Sequence, residues 1–255
     1  MPSSVKELLG ADFQPITSSN FSQAHGRWLV VIEMLSSFVI CYYINAWYYF
    51  WAIPTNPWFL LLLPLNILGN IMLYALIVAC VGWIILQLLR AIEPPKEGMF
   101  PIDGREFRYY CRRFMVCYYS AYLFRSLPIP WADMVAFRMF GVKVGKNVVL
   151  YDAWVDPELI EIGDFVMLSL NAALISHCVY QNHFYVKKVV VSKNCIVGTQ
   201  SVVAPGTFME EGAILGGDAS TIVNQRLEGY MTHVGNPAWK KLPIKVVENA
   251  SGEKK

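Results

Sequence analysis

The chain has 255 residues, of which 55% are hydrophobic, 14% aromatic and only 16% charged, against roughly 25% charged in soluble domains. Its net charge of +2 is too small for a nucleic-acid footprint. Six cysteines, at positions 41, 80, 111, 117, 178 and 195, form no CxxC pair, which argues against a disulfide framework and fits a reducing compartment.

Residues 1–27 form a polar, Ser- and Gln-containing lead-in, expected to be cytoplasmic and partly disordered or interfacial. Residues 28–89 hold the apolar excess. The run from Trp28 to Ile53 carries one charge, Glu33, and is long enough for a bilayer core of ~30 Å, which needs about 20 residues. It exceeds the about 7–15 residues of a signal-peptide core and lacks a small-residue cleavage site, so it reads as retained. Pro54-Thr55-Asn56-Pro57 breaks the chain, and a second run extends from Trp58 to Leu89. Pro64, Asn66, Gly69 and Asn70 near its start place the predicted helix over 66–89, after an irregular entry. Trp28, Trp47, Tyr48, Tyr49, Trp51 and Trp58 supply an interfacial aromatic belt.

The connection at 54–57 is uncharged, whereas Arg90, Lys96, Arg105, Arg108, Arg112 and Arg113 follow the second run. The positive-inside rule therefore puts both termini in the cytoplasm: a multi-pass cell-membrane protein with its C-terminal domain inside. Glu33 and Asn45 are polar groups within the first span, a common mark of function. Glu33, however, lies near enough to the helix end to reach the headgroups, and no role is assigned to it. Residues 90–140 read as a basic amphipathic interfacial linker. Arg105, Arg108 and Arg112 share one helical face, with Phe107, Tyr110, Phe114 and Tyr118 on another, as in a helix lying on the inner leaflet. Its arginines either anchor it to lipid phosphates or cradle a phosphorylated lipid substrate.

The second half carries a ladder of period six. Val144, Leu150, Ile162, Leu168 and Leu174 keep one phase, broken by Asp156, and the phase resumes as Val191, Val197, Val203, Met209 and Leu215. Strands repeat every 2 residues and helices every 3.6, so this spacing is neither. It is the signature of a parallel β-helix built from hexapeptides. Glycine follows the ladder at Gly145, Gly163, Gly198 and Gly216, while Ala172, Cys195, Ser201, Ala213 and Ala219 stand two residues before ladder positions. The phase break at Asp156-Pro157 predicts a bulged or irregular corner. Cys195 reads as a small buried hydrophobe rather than a reactive thiol.

Residues 141–242 resemble the hexapeptide-repeat acyltransferases, in their left-handed parallel β-helix acetyltransferase branch. Three stretches carry the resemblance: Ile162-Gly163-Asp164 through Leu174-Ile175-Ser176-His177; Ile196-Val197-Gly198-Thr199 with Ala204-Pro205-Gly206; and Gly235-Asn236-Pro237-Ala238 followed by Lys240 and Lys241. The expected fold class is thus an α-helical transmembrane hairpin plus an all-β left-handed parallel β-helix, followed by a flexible tail over 243–255. Family members are generally homotrimers with active sites in the clefts between neighbouring prisms, and the resemblance implies the same here.

Acyl transfer from a thioester requires a base for the incoming nucleophile and donors for the tetrahedral oxyanion. The resemblance implies His177 as the base, and the backbone N–H at Thr199 as oxyanion donor with its side chain neutral. Gly198 and Gly217 would flank the pantetheine arm of an acyl-CoA co-substrate. Lys240 and Lys241 are candidates for its phosphates, or for a solvated tail. Asn171 either faces the acceptor or stabilises a corner; His183, in the interruption Cys178–Lys188, either assists the acceptor or is a surface residue. His233 reads as structural. No metal ligand set is expected.

The expected activity is transfer of an acyl group, acetyl above all, from acyl-CoA to a hydroxyl or amine at the cytoplasmic membrane face, with a membrane lipid or lipid-linked glycan as acceptor. One alternative is acyl or aminoacyl transfer from a carrier-protein thioester in amino-acid polymer or peptide synthesis, because some amino-acid polymer synthetases carry similar membrane-plus-hexapeptide modules. The adenylation and carrier parts, which this chain does not hold, would then be a separate partner. A γ-type carbonic anhydrase also uses a left-handed β-helix, but His177, His183 and His233 lack its spacing. A non-catalytic trimeric scaffold is the third class, disfavoured by His177, Gly198-Thr199 and the terminal Gly-Asn-Pro-Ala. The chain departs from the family pattern after the histidine and in the stretch Asp218–Val234, which lacks Lys-Asp-x-Pro-Pro. That leaves acceptor and donor contacts open.

Overall fold

The structure, a computed structural model, describes residues 26–55, 62–102, 104–180 and 183–244. The lead-in over 1–25, the apex of the hairpin at 56–61 and the tail beyond 244 lie outside the described residues. The chain divides into two units. One contains the residues up to Lys96, Phe100–Phe140 and Val179–Phe184; the other contains Glu97–Met99, Gly141–Cys178 and the chain from Tyr185 onward.

The first unit is helical: α1 (Arg27–Thr55), α2 (Leu63–Ile92), α3 (Arg105–Arg125) and α4 (Ala132–Phe140). Within α1 and α2, Arg27–Trp51 and Leu63–Ile92 are long and apolar enough to cross a membrane, and only 22% and 28% of their most apolar windows are buried. Their apolar surface faces outward, unlike that of a core helix. The second helix starts before the predicted position 66. Pro64 falls in its first turn, where a missing N–H costs nothing, and Asn66 and Asn70 donate to the Leu62 and Asn66 carbonyls. Across this end, Tyr48 donates to Asn66 Oδ1 at 3.2 Å and Asn70 to the Tyr49 hydroxyl at 2.9 Å.

Glu33 does not reach a headgroup zone: its side chain is fully buried. Ser120 Oγ of α3 donates to Glu33 Oε1 at 2.7 Å, and Gly82 of α2 makes the space, since a Cβ there would lie 2.6 Å from Glu33 Oε1. The basic segment also differs from a lone surface-lying helix. Val116, Cys117, Ser120, Ala121 and Phe124 form a buried stripe on α3 with the 3–4-residue spacing of a core-facing helix. Cys117 and Phe124 join Ala75, Ala79 and Leu86 of α2 and Ala132, Ala136 and Phe140 of α4 in one cluster. Arg105 and Arg108 are exposed. Arg113 is buried and donates to the Glu93 carbonyl at 2.8 Å. Phe107 and Tyr110 pack on Phe184, with ring centroids 5.1 and 4.7 Å away.

In the second unit, short strands are dealt in rotation to three parallel sheets. The first sheet contains β2 (Lys143–Val144), β5 (Ile160–Ile162), β10 (Val189–Val191), β13 (Phe208–Met209) and β15 (Arg226–Leu227). The second contains β3 (Val149–Leu150), β6 (Met167–Leu168), β11 (Ile196–Val197), β14 (Ile214–Leu215), β16 (Met231–Val234) and the antiparallel β17 (Lys240–Pro243). The third contains β4 (Trp154–Val155), β7 (Ala173–Leu174) and β12 (Val202–Val203). Ladder residues stack coil on coil: Val144 beside Ile162, Ile162 beside Val191, Val191 beside Met209, and Leu150, Leu168, Val197 and Leu215 likewise. Ile162, Leu168, Leu174, Val191, Val197, Val203, Met209 and Leu215 are buried, as are the five small residues that precede ladder positions by two. Each large aliphatic so buried is worth about 1.5–3 kcal/mol.

Corners turn through residues with positive φ, among them Asn147, Asp152, Asn171, Asn194, Asp218 and Asn224, residue types that tolerate the left-handed region. The corner after β4 is irregular. Val155 rather than Asp156 takes the ladder place, beside Leu174, and Leu159 turns with φ +59°. The interruption after Leu174 is made of β8 (His177–Tyr180) and β9 (His183–Val186), which form a three-stranded sheet with β1 (Gly98–Pro101) in the order β1-β9-β8.

Candidate functional site

The one-residue slip after β4 determines the local chemistry. With Val155 on the ladder, Asp156 follows it into the interior, and its side chain has no solvent exposure. A buried carboxylate is tolerated only if its lone pairs are met, and these are. Oδ1 accepts the Trp154 indole N–H at 3.0 Å. Oδ2 accepts the Ser176 backbone N–H at 2.8 Å and its hydroxyl at 3.2 Å. The backbone ties the same two strands: Asp156 N–H donates to the Leu174 carbonyl at 3.0 Å.

His177 opens β8 immediately beyond this anchor. Its Nδ1 lies 2.7 Å from Asp156 Oδ2, and its side chain is 17% exposed. A carboxylate can only accept, so in the neutral ring Nδ1 carries the hydrogen and Nε2 keeps its lone pair. A buried, fully hydrogen-bonded carboxylate thus holds an imidazole in one tautomer, with room for solvent or substrate on one side. That arrangement suits proton abstraction. Asp156 was legible in the sequence only as a break in the ladder. A charged residue at an otherwise aliphatic step, one turn of the coil before a histidine, was the available signal.

The Gly198, Thr199 and Gly217 group comes together at another corner. Gly198 N–H donates to the Leu215 carbonyl at 2.8 Å, and Asp218 N–H to the Thr199 carbonyl at 2.9 Å. A Cβ on Gly198 would sit 2.5 Å from Gly217 N and 2.6 Å from Gly216 C, so only glycine permits the coils to stack here. Gly217 is exposed, and a Cβ there would meet only the Thr199 carbonyl oxygen, at 3.6 Å.

The remaining candidates separate. Asn171 is an exposed corner residue with φ +57°, which accounts for it without an acceptor. His183 is exposed, at the start of β9, and falls within the helical unit. Lys240 and Lys241 are exposed on β17, and Lys241 forms an ion pair with Glu228. His233 is buried, with Nε2 3.0 Å from the Glu228 carbonyl. Cys195 is buried, and desolvation pushes its thiol up to about 11, which suppresses thiolate chemistry. Among the described residues, no group of three His, Cys, Asp or Glu side chains is placed to hold a metal.

No family model matches the chain. It is 27% identical over 103 residues to the delta-poly-L-ornithine synthetase of Acinetobacter baumannii (strain AB307-0294), a match covering 40% of this chain and 8% of that protein. The chain therefore spans a small fraction of that relative's length. Among solved structures, it is similar to a maltose O-acetyltransferase from Clostridium difficile 630, with a TM-score of 0.45, 14% identity, and coverage of 58% of this chain and 92% of the other. It is also similar to soybean serine acetyltransferase complexed with serine, with a TM-score of 0.34, 15% identity, and coverage of 68% and 76%. A third similarity is to AntD, an N-acyltransferase from Bacillus cereus, with a TM-score of 0.32, 17% identity, and coverage of 43% and 88%. These neighbours are hexapeptide-repeat acetyl- and acyltransferases. At such scores the likeness adds no weight to the reading of the site, which rests on the chain's own residues.

Proposed function

We propose that this chain is a membrane-anchored acyltransferase that moves an acyl group from acyl-CoA to a hydroxyl or amine at the cytoplasmic face of the membrane. The observation that carries this reading is His177 Nδ1 placed 2.7 Å from the buried Asp156 carboxylate. In the proposed reaction, His177 Nε2 takes the proton of the acceptor O–H or N–H as the oxygen or nitrogen attacks the thioester carbonyl carbon. The tetrahedral oxyanion is met by the Thr199 backbone N–H. The C–S bond then breaks, and the proton on Nε2 passes to the departing CoA sulfur. Asp156 stabilises the imidazolium between the two transfers and does not itself take the proton.

The exposed Gly217, stacked closely on Gly198, supports a path for the pantetheine arm, and exposed Lys240 suits its phosphates. Lys241 is less suited, being paired with Glu228. The coil takes the left-handed sense and the chain assembles as a homotrimer, as the sequence resemblance implies. Anchoring rests on the outward-facing apolar helices. Arg90 in the last turn of α2, with Lys96, Arg105 and Arg108 beyond it, supports the cytoplasmic orientation. A membrane lipid is then the natural acceptor.

A second reading keeps the same chemistry and takes the acyl or aminoacyl group from a carrier-protein thioester. It is favoured by the polyornithine synthetase match, of which this chain spans 8%. The two readings are separated by thiol release from detergent-purified protein given a panel of acyl-CoAs, with native membrane lipid or water-soluble sugars as acceptor. Lipid-dependent CoA release supports the first. Acylation of soluble sugars alone removes the lipid acceptor, and no release from any acyl-CoA shifts the donor to a carrier protein.

A further inference from the structure

The helical unit exposes an aromatic surface at a defined depth. Gly26 abuts Met115, whose Cγ would lie 2.8 Å from a Cβ at that position, so Met115 of α3 stands level with the start of α1. Further along, Ser120 of α3 meets Glu33 of α1 at 2.7 Å, and Gly82 of α2 fits between them. At about 1.5 Å per residue, Glu33 is about 9 Å along the axis from Arg27, and Phe124 about 13 Å beyond Met115. Phe124 and Ala132 then join the cluster that contains Ala75 and Ala79 of α2. The chain returns along α4 until the Phe140 carbonyl accepts from Arg90, near the end of α2.

The charges follow the same axis. Arg105, Glu106, Arg108, Arg112 and Arg113 occupy the first turns of α3, and Phe114 through Phe124 carry none. The Glu93 carboxylate, held below its ordinary value first by the Lys96 ammonium, pairs with Lys96 and Arg105 at 2.5 and 2.9 Å, marking the aqueous end. At the opposite end, Tyr118, Tyr122, Trp131 and Val135 are 45%, 60%, 63% and 42% exposed, with i,i+4 spacing on each arm. Of the charged groups near the turn, Arg125 is partly buried, and Asp133 is buried with its carboxylate accepting the Met134 N–H at 2.7 Å.

We propose that α3 and α4 form a re-entrant hairpin whose turn, 126–131, enters the cytoplasmic leaflet and presents Tyr118, Tyr122, Trp131 and Val135 to lipid acyl chains. The inference rests on the membrane reading of α1 and α2. Helix pairs can lie at such depth because their backbone bonds are internal, and this turn leaves few donors to satisfy: the Ser126 and Leu127 N–H groups donate to carbonyls at the end of α3, and Pro128 and Pro130 have none. Tyrosine and tryptophan suit the boundary between headgroup and chain. A lipid substrate would thus meet a protein surface already within its own leaflet.

The test places a photo-crosslinking amino acid at Tyr122, Trp131, Ile84 or Arg108 of the full chain in native membranes, followed by mass analysis of the adducts. Ile84 is an exposed residue of α2 and reports on the membrane reading alone; Arg108 lies at the charged end. Lipid adducts at 84, 122 and 131, lost at 108, are expected. Adducts at 84 but not at 122 or 131 overturn the hairpin and leave the spans intact. Protein adducts to a second copy at 122 and 131 replace the lipid with a subunit interface and also overturn it. Absence of lipid at 84 removes the membrane reading, and the hairpin with it.

Discussion

Replacing Asp156 with asparagine separates positioning from mere structure. The carboxylate meets three donors besides the histidine: the Trp154 indole at one oxygen, and the Ser176 N–H and hydroxyl at the other. An amide has one oxygen. If it faces Ser176 and His177, its NH2 opposes the Trp154 N–H; if reversed, it opposes His177 Nδ1–H and favours the wrong tautomer. Either way a buried donor is left unpaired, which costs about 1–3 kcal/mol of stability. The kinetic effect is larger, because an imidazole in the wrong tautomer cannot take the acceptor proton. Orientation of a base by a carboxylate is worth on the order of 10²–10⁴ in kcat. The assay is steady-state thiol release with donor and acceptor each varied. A fall in kcat with the donor KM unchanged is expected, since Asp156 touches no part of the donor. An Asp156→Asn protein that folds and retains wild-type kcat would refute the reasoning.

Gly198→Ala and Gly217→Ala form a contrasting pair. The first drives a Cβ to 2.5 Å from backbone and is expected to lower the melting temperature sharply or prevent folding. The second meets nothing closer than 3.6 Å, so it should fold normally and raise the KM for acyl-CoA; an unchanged KM would move the pantetheine path elsewhere. Leu215→Ala empties a fully buried ladder position and should cost about 2–5 kcal/mol, read by denaturant unfolding. The Glu161 carboxyl is held below its ordinary value by hydrogen bonds from Lys143 and then Lys188, at 2.6 and 2.7 Å. A depressed carboxylate contributes stability above its unfolded value that is lost as pH falls through the folded one. Glu161→Gln should therefore destabilise by less than about 1 kcal/mol at neutral pH, the pair being partly exposed. The difference should vanish below the ordinary carboxylate range, and a constant deficit at all pH values would assign the effect to packing.

The ladder was readable because every sixth side chain must enter a narrow core, so burial alone writes the period. The two apolar helices were readable for a related reason. Asp156 was not, because the slip that puts Val155 beside Leu174 depends on strand register that the sequence pattern leaves ambiguous by one residue. The packing of α3 was present as the spacing of Val116, Cys117, Ser120, Ala121 and Phe124, but the arginines dominated the reading. Glu33 escaped for a tertiary reason: its cover comes from Gly82 and Ser120, which are 49 and 87 residues away in the chain. The ion pair of Lys241 with Glu228 likewise follows from β17 folding back on β16.

The central claim, that His177 is the base of an acyl transfer, is tested most directly by the acyl-transfer rate of His177→Ala in folded, detergent-purified protein. Loss of general-base catalysis predicts a fall in kcat on the order of 10²–10⁴ with the melting temperature and donor KM close to wild type. Transfer at the wild-type rate in that variant would contradict the account.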